Sequence, residues 1–293
     1  MRYPVYVISK GRSTPSAGGL TARLMIRDGV DFRLVVEPHE AEAYAASYGE
    51  ERLLLLPFRD LGQGSIPARN WCWEHALEAG AERHWIVDDN IRDMRRLYKG
   101  ERIPINAELA LSIIEDFTDR YENVGLSGPA YQMFVMPDEP VPFRLNVHVY
   151  SCILVRNDLP YRWRGRYNED TDLCLQVLAG GHCTILTNAL MADKMPSMKF
   201  AGGNTDELYA GDGRLKMARE LERVWPHVVR VERRYGRPQH VVNWARFKTE
   251  LIRKPEVDFA SMPAVDEYGM ELKEIRPAKS AKLKQMLTSP PPS

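Results

Sequence analysis

The 293-residue sequence lacks the features that mark secreted, disulfide-rich or membrane proteins. No apolar run approaches the roughly 18 residues that a membrane-spanning helix requires. The N-terminal segment has neither the charged part nor the long apolar part of a signal peptide. The cysteines form no Cys-x-x-Cys pair, which favours buried, reduced thiols over disulfides or a cysteine metal cluster. They are Cys72, Cys152, Cys174 and Cys183. We therefore expect a soluble, intracellular protein that does not bind membranes.

An excess of charge of one sign is also missing. The 40 basic and 40 acidic residues give a formal net charge of zero, which argues against attraction of the whole molecule to nucleic acid. Any such binding must come from local patches. The hydrophobic content of 44% is ordinary for a globular protein, and the length allows one large domain or two small ones.

Short apolar runs alternate with helical segments over the first ninety or so residues. Strands are predicted at 5–8, 32–36, 53–57 and 85–87, and helices at 20–27, 41–48 and 67–79. This spacing is typical of βαβ units and predicts an α/β fold with a mostly parallel sheet. Further strands are predicted at 124–128, 132–136, 147–155 and 183–186, and further helices at 107–121, 170–179 and 213–224.

The C-terminal part differs in composition. Basic residues outnumber acidic ones between 230 and 254, and prolines punctuate a charged segment beyond 255. We therefore predict a main domain over 1–229 and a basic extension over 230–293, whose proline-rich end should be disordered. A glycine-rich loop at 201–204 is interpreted equally well as a mobile lid or as a tight turn.

Asp88, Asp89 and Asn90 directly follow a predicted buried strand. In open α/β sheets, ligands bind at the carboxyl ends of the strands. Carboxylate and amide oxygens there suit Mg²⁺ or Mn²⁺ carrying phosphate oxygens. The same three residues would also make a good solvated turn. The preceding strand and the βαβ pattern favour a metal site for a phosphorylated donor.

A second acidic cluster, Glu169, Asp170 and Asp172, falls in the first turn of a predicted helix. These side chains either compensate the helix dipole or include the base that takes a proton from an acceptor hydroxyl. The preceding segment, 162–167, is rich in arginine and aromatic residues. Such a segment is typical of a surface that approaches phosphate, so it favours the second interpretation.

Five motifs, each short by itself, are specific because of the order in which they occur. They span 5–12, 36–38, 64–70, 85–90 and 164–172. Together they resemble a GT-A glycosyltransferase and, more narrowly, the TET-associated glycosyltransferases of phages, over a stretch from Val5 to about Phe247. The resemblance implies a GT-A-like (Rossmann-like) sheet flanked by helices. It also implies sugar transfer from a nucleotide sugar, a UDP-sugar, to 5-hydroxymethylpyrimidine in phage DNA, 5-hydroxymethylcytosine above all, in the cytoplasm of an infected bacterium.

The resemblance also implies roles for individual donor-binding residues. The nucleoside would lie against Ser9, Lys10, Arg12 and Glu37. Arg69 would face the diphosphate and Asn70 would help fix the sugar, while Asp89 would reach the ribose or the sugar.

For the reaction itself, the resemblance implies Mn²⁺ or Mg²⁺ bound by Asp88 and Asn90, with Glu169 or Asp170 as the base. Many GT-A enzymes have a histidine as a third metal ligand, and the matching stretch here, 189–194, has none. Either Asp193 substitutes for it, or Lys194 neutralises the leaving diphosphate.

DNA contacts are expected from two basic clusters that contain aromatic residues, because this mixture suits phosphate neutralisation and base stacking. The residues expected to contact DNA are Arg162, Arg164, Arg166, Trp244, Arg246 and Lys248. A base within a duplex would have to be extruded. The alternative is a solvated basic face with its aromatic residues in the core. His148, His182 and His240 are interpreted as structural or surface residues.

Other functions fit parts of the pattern. A GT-A glycosyltransferase could act on a non-DNA acceptor. A nucleotidyltransferase would normally show a Gly-x-Gly repeat after the first strand, which 9–13 lacks. A metal nuclease, or an inactive nucleic-acid-binding module whose acidic residues only cap helices, would use the same side chains differently.

Overall fold

The structure is a computed structural model that describes residues 1–14, 16, 19–195 and 213–271. The glycine-rich loop at 201–204 and the proline-rich end lie outside the described residues. The chain divides into two compact units, Met1–Lys254 and Pro255–Ser293. Among the described residues, no helix combines the length and apolar character needed to cross a membrane.

Ten strands of the first unit form one mixed sheet. They are β1 Val5–Ile8, β2 Arg33–Val36, β3 Leu53–Leu55, β4 Arg83–Asp88, β5 Ile91–Tyr98, β6 Glu101–Ile105, β7 Val124–Tyr131, β8 Phe143–Leu145, β9 Cys152–Arg156 and β10 Cys183–Lys194. Their order is β3-β2-β1-β4-β9-β7-β10-β5-β6, with β8 also paired to β10. The pairings make seven strands run in one direction, with β5, β8 and β9 opposed. The prediction of a mostly parallel α/β sheet is confirmed.

Six α-helices are found in the described residues. They are α1 Leu20–Arg27, α2 Ala41–Tyr48, α3 Ile66–Glu78, α4 Ala107–Thr118, α5 Glu169–Ala179 and α6 Gly213–Val224. The bounds of α1, α2 and α6 agree with those predicted. Local chemistry explains other ends: Pro67 opens α3, where a missing N–H costs nothing, and the Asn106 side chain accepts a hydrogen bond from Leu109 N at the start of α4.

The main core packs α3 and α5 against the sheet. Its largest buried side chains include Trp73 of α3, Ile86 of β4 and Trp163, which lies just before α5. All four cysteines are buried and free, as predicted. This core holds the carboxyl ends of β1, β2 and β4 and the start of α5 in fixed positions.

The predictions fail in the second half of the sheet. Gln132–Phe134 is a 3₁₀ turn and not a strand, and the strand predicted to start at 147 begins at Cys152. The strands β5 and β6 were not predicted. Half of the eight residues of β5 are charged, and its apolar residues do not alternate with a period of two. The strand is formed by pairing with β10 and β6.

A separate hairpin, also not predicted, follows α6. It consists of β11 Val229–Arg234 and β12 Arg237–Val242, joined by a two-residue turn. Both turn residues have positive φ, 51° for Tyr235 and 75° for Gly236. Such turns favour Asn-Gly, and a bulky residue in this conformation is strained. The Tyr235 side chain at this tip is 95% exposed.

Candidate active site

Residues of both acidic clusters predicted from the sequence line one cavity of about 550 Å³, although Asp172 is not among them. Asp88 ends β4, and Asp89 follows it. Glu169 and Asp170 enter from the first turn of α5. Asn168, the residue before this helix, has a left-handed conformation with φ 54°. Ser9 and Glu37, at the ends of β1 and β2, complete the edge where parallel strands deliver ligand-binding groups.

One side of the cavity, which we call the polar wall, consists of Ser9, Lys10, Arg12, Glu37 and Asp89. Asp89 accepts hydrogen bonds from Arg12 Nη1 and Ser9 Oγ, each at 2.7 Å. Burial raises the pKa of Asp89 above its usual range, although Arg12 opposes that shift. Lys10 Nζ donates to Glu37 Oε1 at 2.8 Å. The polar wall is therefore held in place by paired charges.

Arg69 and Lys194, the cation pair, bind opposite oxygens of Asp88. Arg69 Nη2 donates to Oδ1 at 2.9 Å, and Lys194 Nζ donates to Oδ2 at 2.7 Å. Burial raises the pKa of Asp88, but the two cations outweigh it and hold that pKa below its usual range. Burial likewise lowers the pKa of Lys194, and the charge of Asp88 reverses that shift, so the ammonium stays protonated.

Of the metal ligands predicted from the sequence, Asp88 and Asn90 line the cavity, and Asp193 is not among its lining residues. Asp193 accepts hydrogen bonds from Arg92 at 2.7 and 3.0 Å, and it precedes Lys194, whose side chain lines the cavity. Asn90 Nδ2 donates to the Met195 carbonyl, and its buried Oδ1 has no partner among the described residues.

The residues at Asp88 do not fit a divalent cation. Such a cation would have to displace the Lys194 ammonium from Asp88 Oδ2 and leave this buried charge without a carboxylate partner. Within 1–195 and 213–271, apart from the gaps at 15 and 17–18, one group of three acidic or histidine side chains lies close enough to share a cation. It comprises Glu37, His39 and Asp60, and Lys10 already occupies two of its carboxylates.

The two carboxylates of α5 have different partners. Glu169 Oε1 accepts from Ser65 Oγ at 3.2 Å and lies 3.8 Å from Arg69 Nη2. Burial raises the pKa of Glu169. Asp170 Oδ2 lies 3.1 Å from His148 Nε2, and although burial opposes it, His148 lowers the pKa of Asp170. Glu169 thus belongs with the cation pair, and Asp170 with His148.

Stacked rings form another side of the cavity. This aromatic wall consists of Tyr131, Phe134, His148 and Tyr150. The rings of Tyr131 and Tyr150 stack with their centroids 4.4 Å apart. Trp244 stacks on His148, with the two ring centroids 6.1 Å apart. The sequence interpretation of His148 as structural or on the surface missed its contact with Asp170. No local motif marks these rings, because they meet only through the tertiary fold.

Several predicted residues have structural partners. Asn70 exchanges hydrogen bonds in both directions with the backbone of Trp163. Arg162 pairs with Glu74, and Arg164 makes a two-pronged contact with Asp172. These contacts hold the segment before α5 against α3 and against α5 itself.

The C-terminal residues predicted to contact DNA divide into two groups. Trp244 is half-buried and packs in the core beside the aromatic wall. Arg246 is exposed and donates to the His227 carbonyl at 2.9 Å. Lys248 and Arg166 are also exposed.

Comparison with known families agrees with the resemblance seen in the sequence. The family model described as TET-Associated Glycosyltransferase matches residues 3–203, which is more than half of the chain. A search of curated proteins found no relative. The chain belongs to the TET-associated glycosyltransferase family.

Proposed function

We propose that this TET-associated glycosyltransferase moves a sugar from a UDP-sugar to the hydroxymethyl group of a 5-hydroxymethylpyrimidine in DNA, 5-hydroxymethylcytosine above all. One observation carries the proposal. A single cavity combines a wall of paired polar groups, two cations and two carboxylates with a wall of stacked rings. The first wall suits a nucleoside diphosphate, and the second suits a flat acceptor ring.

The polar wall supports a nucleoside at the ends of β1 and β2. Glu37 and Asp89 each present a carboxylate, with side chains 11% and 9% exposed. Carboxylates accept hydrogen bonds from ribose hydroxyls and from a base N–H such as that of uracil. The cation pair lies next along the cavity, where charge-assisted hydrogen bonds neutralise a diphosphate.

The aromatic wall supports a nucleobase as the acceptor. Base–aromatic stacking contributes about 1–3 kcal/mol per base. The hydroxymethyl oxygen attacks the anomeric carbon of the sugar, the bond from that carbon to the diphosphate oxygen breaks, and the hydroxyl proton leaves. We assign that proton to the Asp170–His148 pair, because it adjoins the aromatic wall whereas Glu169 adjoins the cation pair.

The β11–β12 hairpin supports DNA as the carrier of the base. Its tip presents Tyr235 between Arg233, Arg234 and Arg237. His240, three residues beyond Arg237, lines the cavity. An exposed ring flanked by arginines suits stacking on an extruded or frayed base while the charges contact phosphates.

The test is transfer of label from UDP-[¹⁴C]glucose and other labelled sugar nucleotides to duplexes that differ only in 5-hydroxymethylcytosine or cytosine. Mn²⁺, Mg²⁺ and EDTA are compared, since the divalent cation predicted from the sequence stays a prediction. We expect label on the hydroxymethylated duplex alone.

Three outcomes would contradict the proposal. Label on protein, lipid or polysaccharide but not on DNA would favour another acceptor. Strand cleavage would favour a nuclease. DNA binding with no transfer from any donor would favour the inactive binding module.

A further inference from the structure

Lys194 is the last residue of β10, and its ammonium is surrounded by oxygen atoms. Nζ donates to Asp88 Oδ2 at 2.7 Å, to Ser151 Oγ at 2.7 Å and to Tyr131 OH at 3.0 Å. The Lys194 side chain is only 10% exposed, and it lines the cavity. A positive centre with three oxygen neighbours at the tip of β4 stands where the sequence predicts a divalent cation.

The backbone around Lys194 is specialised for this position. The pairing of β10 with β5 shifts register between Asp193 and Lys194, and such bulges re-aim side chains beside active sites. Asp193 pairs with Arg92 of β5, and Lys194 enters the cavity. The bulge therefore separates the two residues that the sequence left as alternatives.

Arg69 supplies a second positive charge on the same carboxylate. Its side chain is 6% exposed, and its guanidinium lies 4.6 Å from the centre of the Trp163 ring. Two cations therefore share the Asp88 carboxylate, and Glu169 Oε1 lies 3.8 Å from Arg69 Nη2. Arg69 Nη1 is buried and has no hydrogen-bond partner among the described residues, so this guanidinium has a charged donor left for a further anion.

We propose that Lys194, together with Arg69, replaces the divalent cation, so that this enzyme binds the donor diphosphate and transfers sugar without a metal. This inference rests on the proposed function. The guanidinium donates a hydrogen bond from Nη1 to one diphosphate oxygen, and the ammonium exchanges its neutral partner Ser151 or Tyr131 for another. When the bond between the anomeric carbon and the diphosphate oxygen breaks, both electrons stay on that oxygen, and the cation pair stabilises the new charge. Neither residue gains or loses a proton in this step.

The binding test uses the full chain and needs no acceptor. UDP, GDP, ADP, CDP and dTDP are titrated by calorimetry in EDTA and again in Mn²⁺, and the tightest is kept. We expect the two dissociation constants to agree within about twofold. Failure of every diphosphate to bind in EDTA, or binding that appears only with Mn²⁺, overturns the proposal.

Variants then identify the residue responsible. In EDTA, Lys194→Met should weaken binding of the diphosphate about 100-fold, in line with loss of one buried charged donor, and should leave binding of the corresponding nucleoside unchanged. Lys99→Met, an exposed lysine in the turn between β5 and β6, is the matched control. Since Lys194→Met also removes one of the two cationic partners of Asp88, Lys194→Arg is tested beside it and should keep most of the affinity. Equal loss for nucleoside and diphosphate overturns the assignment.

Turnover separates this inference from the function on which it rests. Transfer in EDTA at the rate seen with Mn²⁺ supports both. Transfer that requires Mn²⁺ refutes the inference and leaves the proposed function standing. Metal-independent diphosphate binding without transfer to hydroxymethylated DNA refutes the proposed function and leaves the binding role of Lys194 standing.

Discussion

The polar wall and the aromatic wall are built in different ways. The polar wall follows the ends of parallel strands. Its side chains are paired with one another, as in Arg12 with Asp89, and all of them except Lys10 are buried. The aromatic wall comes from the end of β7 and the irregular segment before β9, and Phe134 there is 56% exposed. The first is preorganised for one kind of ligand, and the second leaves room for a larger one. Variants in the two walls should therefore fail in different assays.

The largest effect is expected at the boundary between the walls. Asp170→Asn should lower turnover about 1000-fold, the range of a lost general base, while the affinity for the sugar nucleotide stays within twofold. Steady-state kinetics and calorimetry measure the two quantities. Asp158→Asn, which alters an exposed partner of Arg156, is the control. Lost affinity for the donor with normal turnover would assign Asp170 to donor binding, as for the residues of the polar wall.

Within the polar wall, Asp89→Asn should destabilise the fold by about 3–5 kcal/mol, because it removes the carboxylate charge that faces Arg12 in a buried ion pair. Urea unfolding measures the change. Glu232→Gln removes one partner of an exposed ion pair with Arg234 and should change stability by less than about 1 kcal/mol. Equal effects would show that the polar wall is no more tightly held than the surface.

His84 of β4 should make the stability of the fold depend on pH. This residue is fully buried, and burial lowers its pKa to about 4, although Asn157 opposes the shift. The depressed pKa contributes stability that is complete above about pH 6.5 and is lost as pH falls towards 4, by about 3 kcal/mol in total.

Urea unfolding at several pH values checks this. His84→Gln should flatten the dependence in that window, whereas exposed His227→Gln should not. An unchanged slope in His84→Gln would assign the acid sensitivity to other groups.

The smallest effect is expected beyond the aromatic wall, at the hairpin tip. Tyr235→Asn should weaken DNA affinity about tenfold, as for one lost stacking contact. It should not lower stability, since Asn suits the left-handed turn position better than Tyr. Fluorescence anisotropy with labelled duplex measures the affinity. If Tyr235→Asn binds DNA as the original protein does, the hairpin tip is not a DNA contact.

The contrast between the polar wall and the aromatic wall also shows which parts of the fold and the site can be predicted from the sequence. Strands β1 to β4 are apolar runs, α1 has an apolar face, and α2 consists of good helix formers ended by Gly49. Their positions, and that of Asp88 at a strand end, therefore follow from local rules. The strand β5 has no such pattern, and it exists because β10 and β6 pair with it.

The aromatic wall illustrates the same limit at the site. His148 meets Trp244 across 96 residues of chain, and Tyr131 stacks on Tyr150 across 19 residues that include β8. Neither contact has a local signal. The register shift between Asp193 and Lys194 is likewise not encoded by a strand pattern.

The Lys194 ammonium, held by Asp88, Ser151 and Tyr131, has a consequence for how the enzyme obtains the positive charge in its site. Each translated copy carries this charge covalently, in one-to-one stoichiometry, and it can be neither chelated nor exchanged for a wrong ion. It also carries one unit of charge where Mn²⁺ carries two. The Arg69 guanidinium, which binds the same Asp88 carboxylate, supplies a second unit of positive charge.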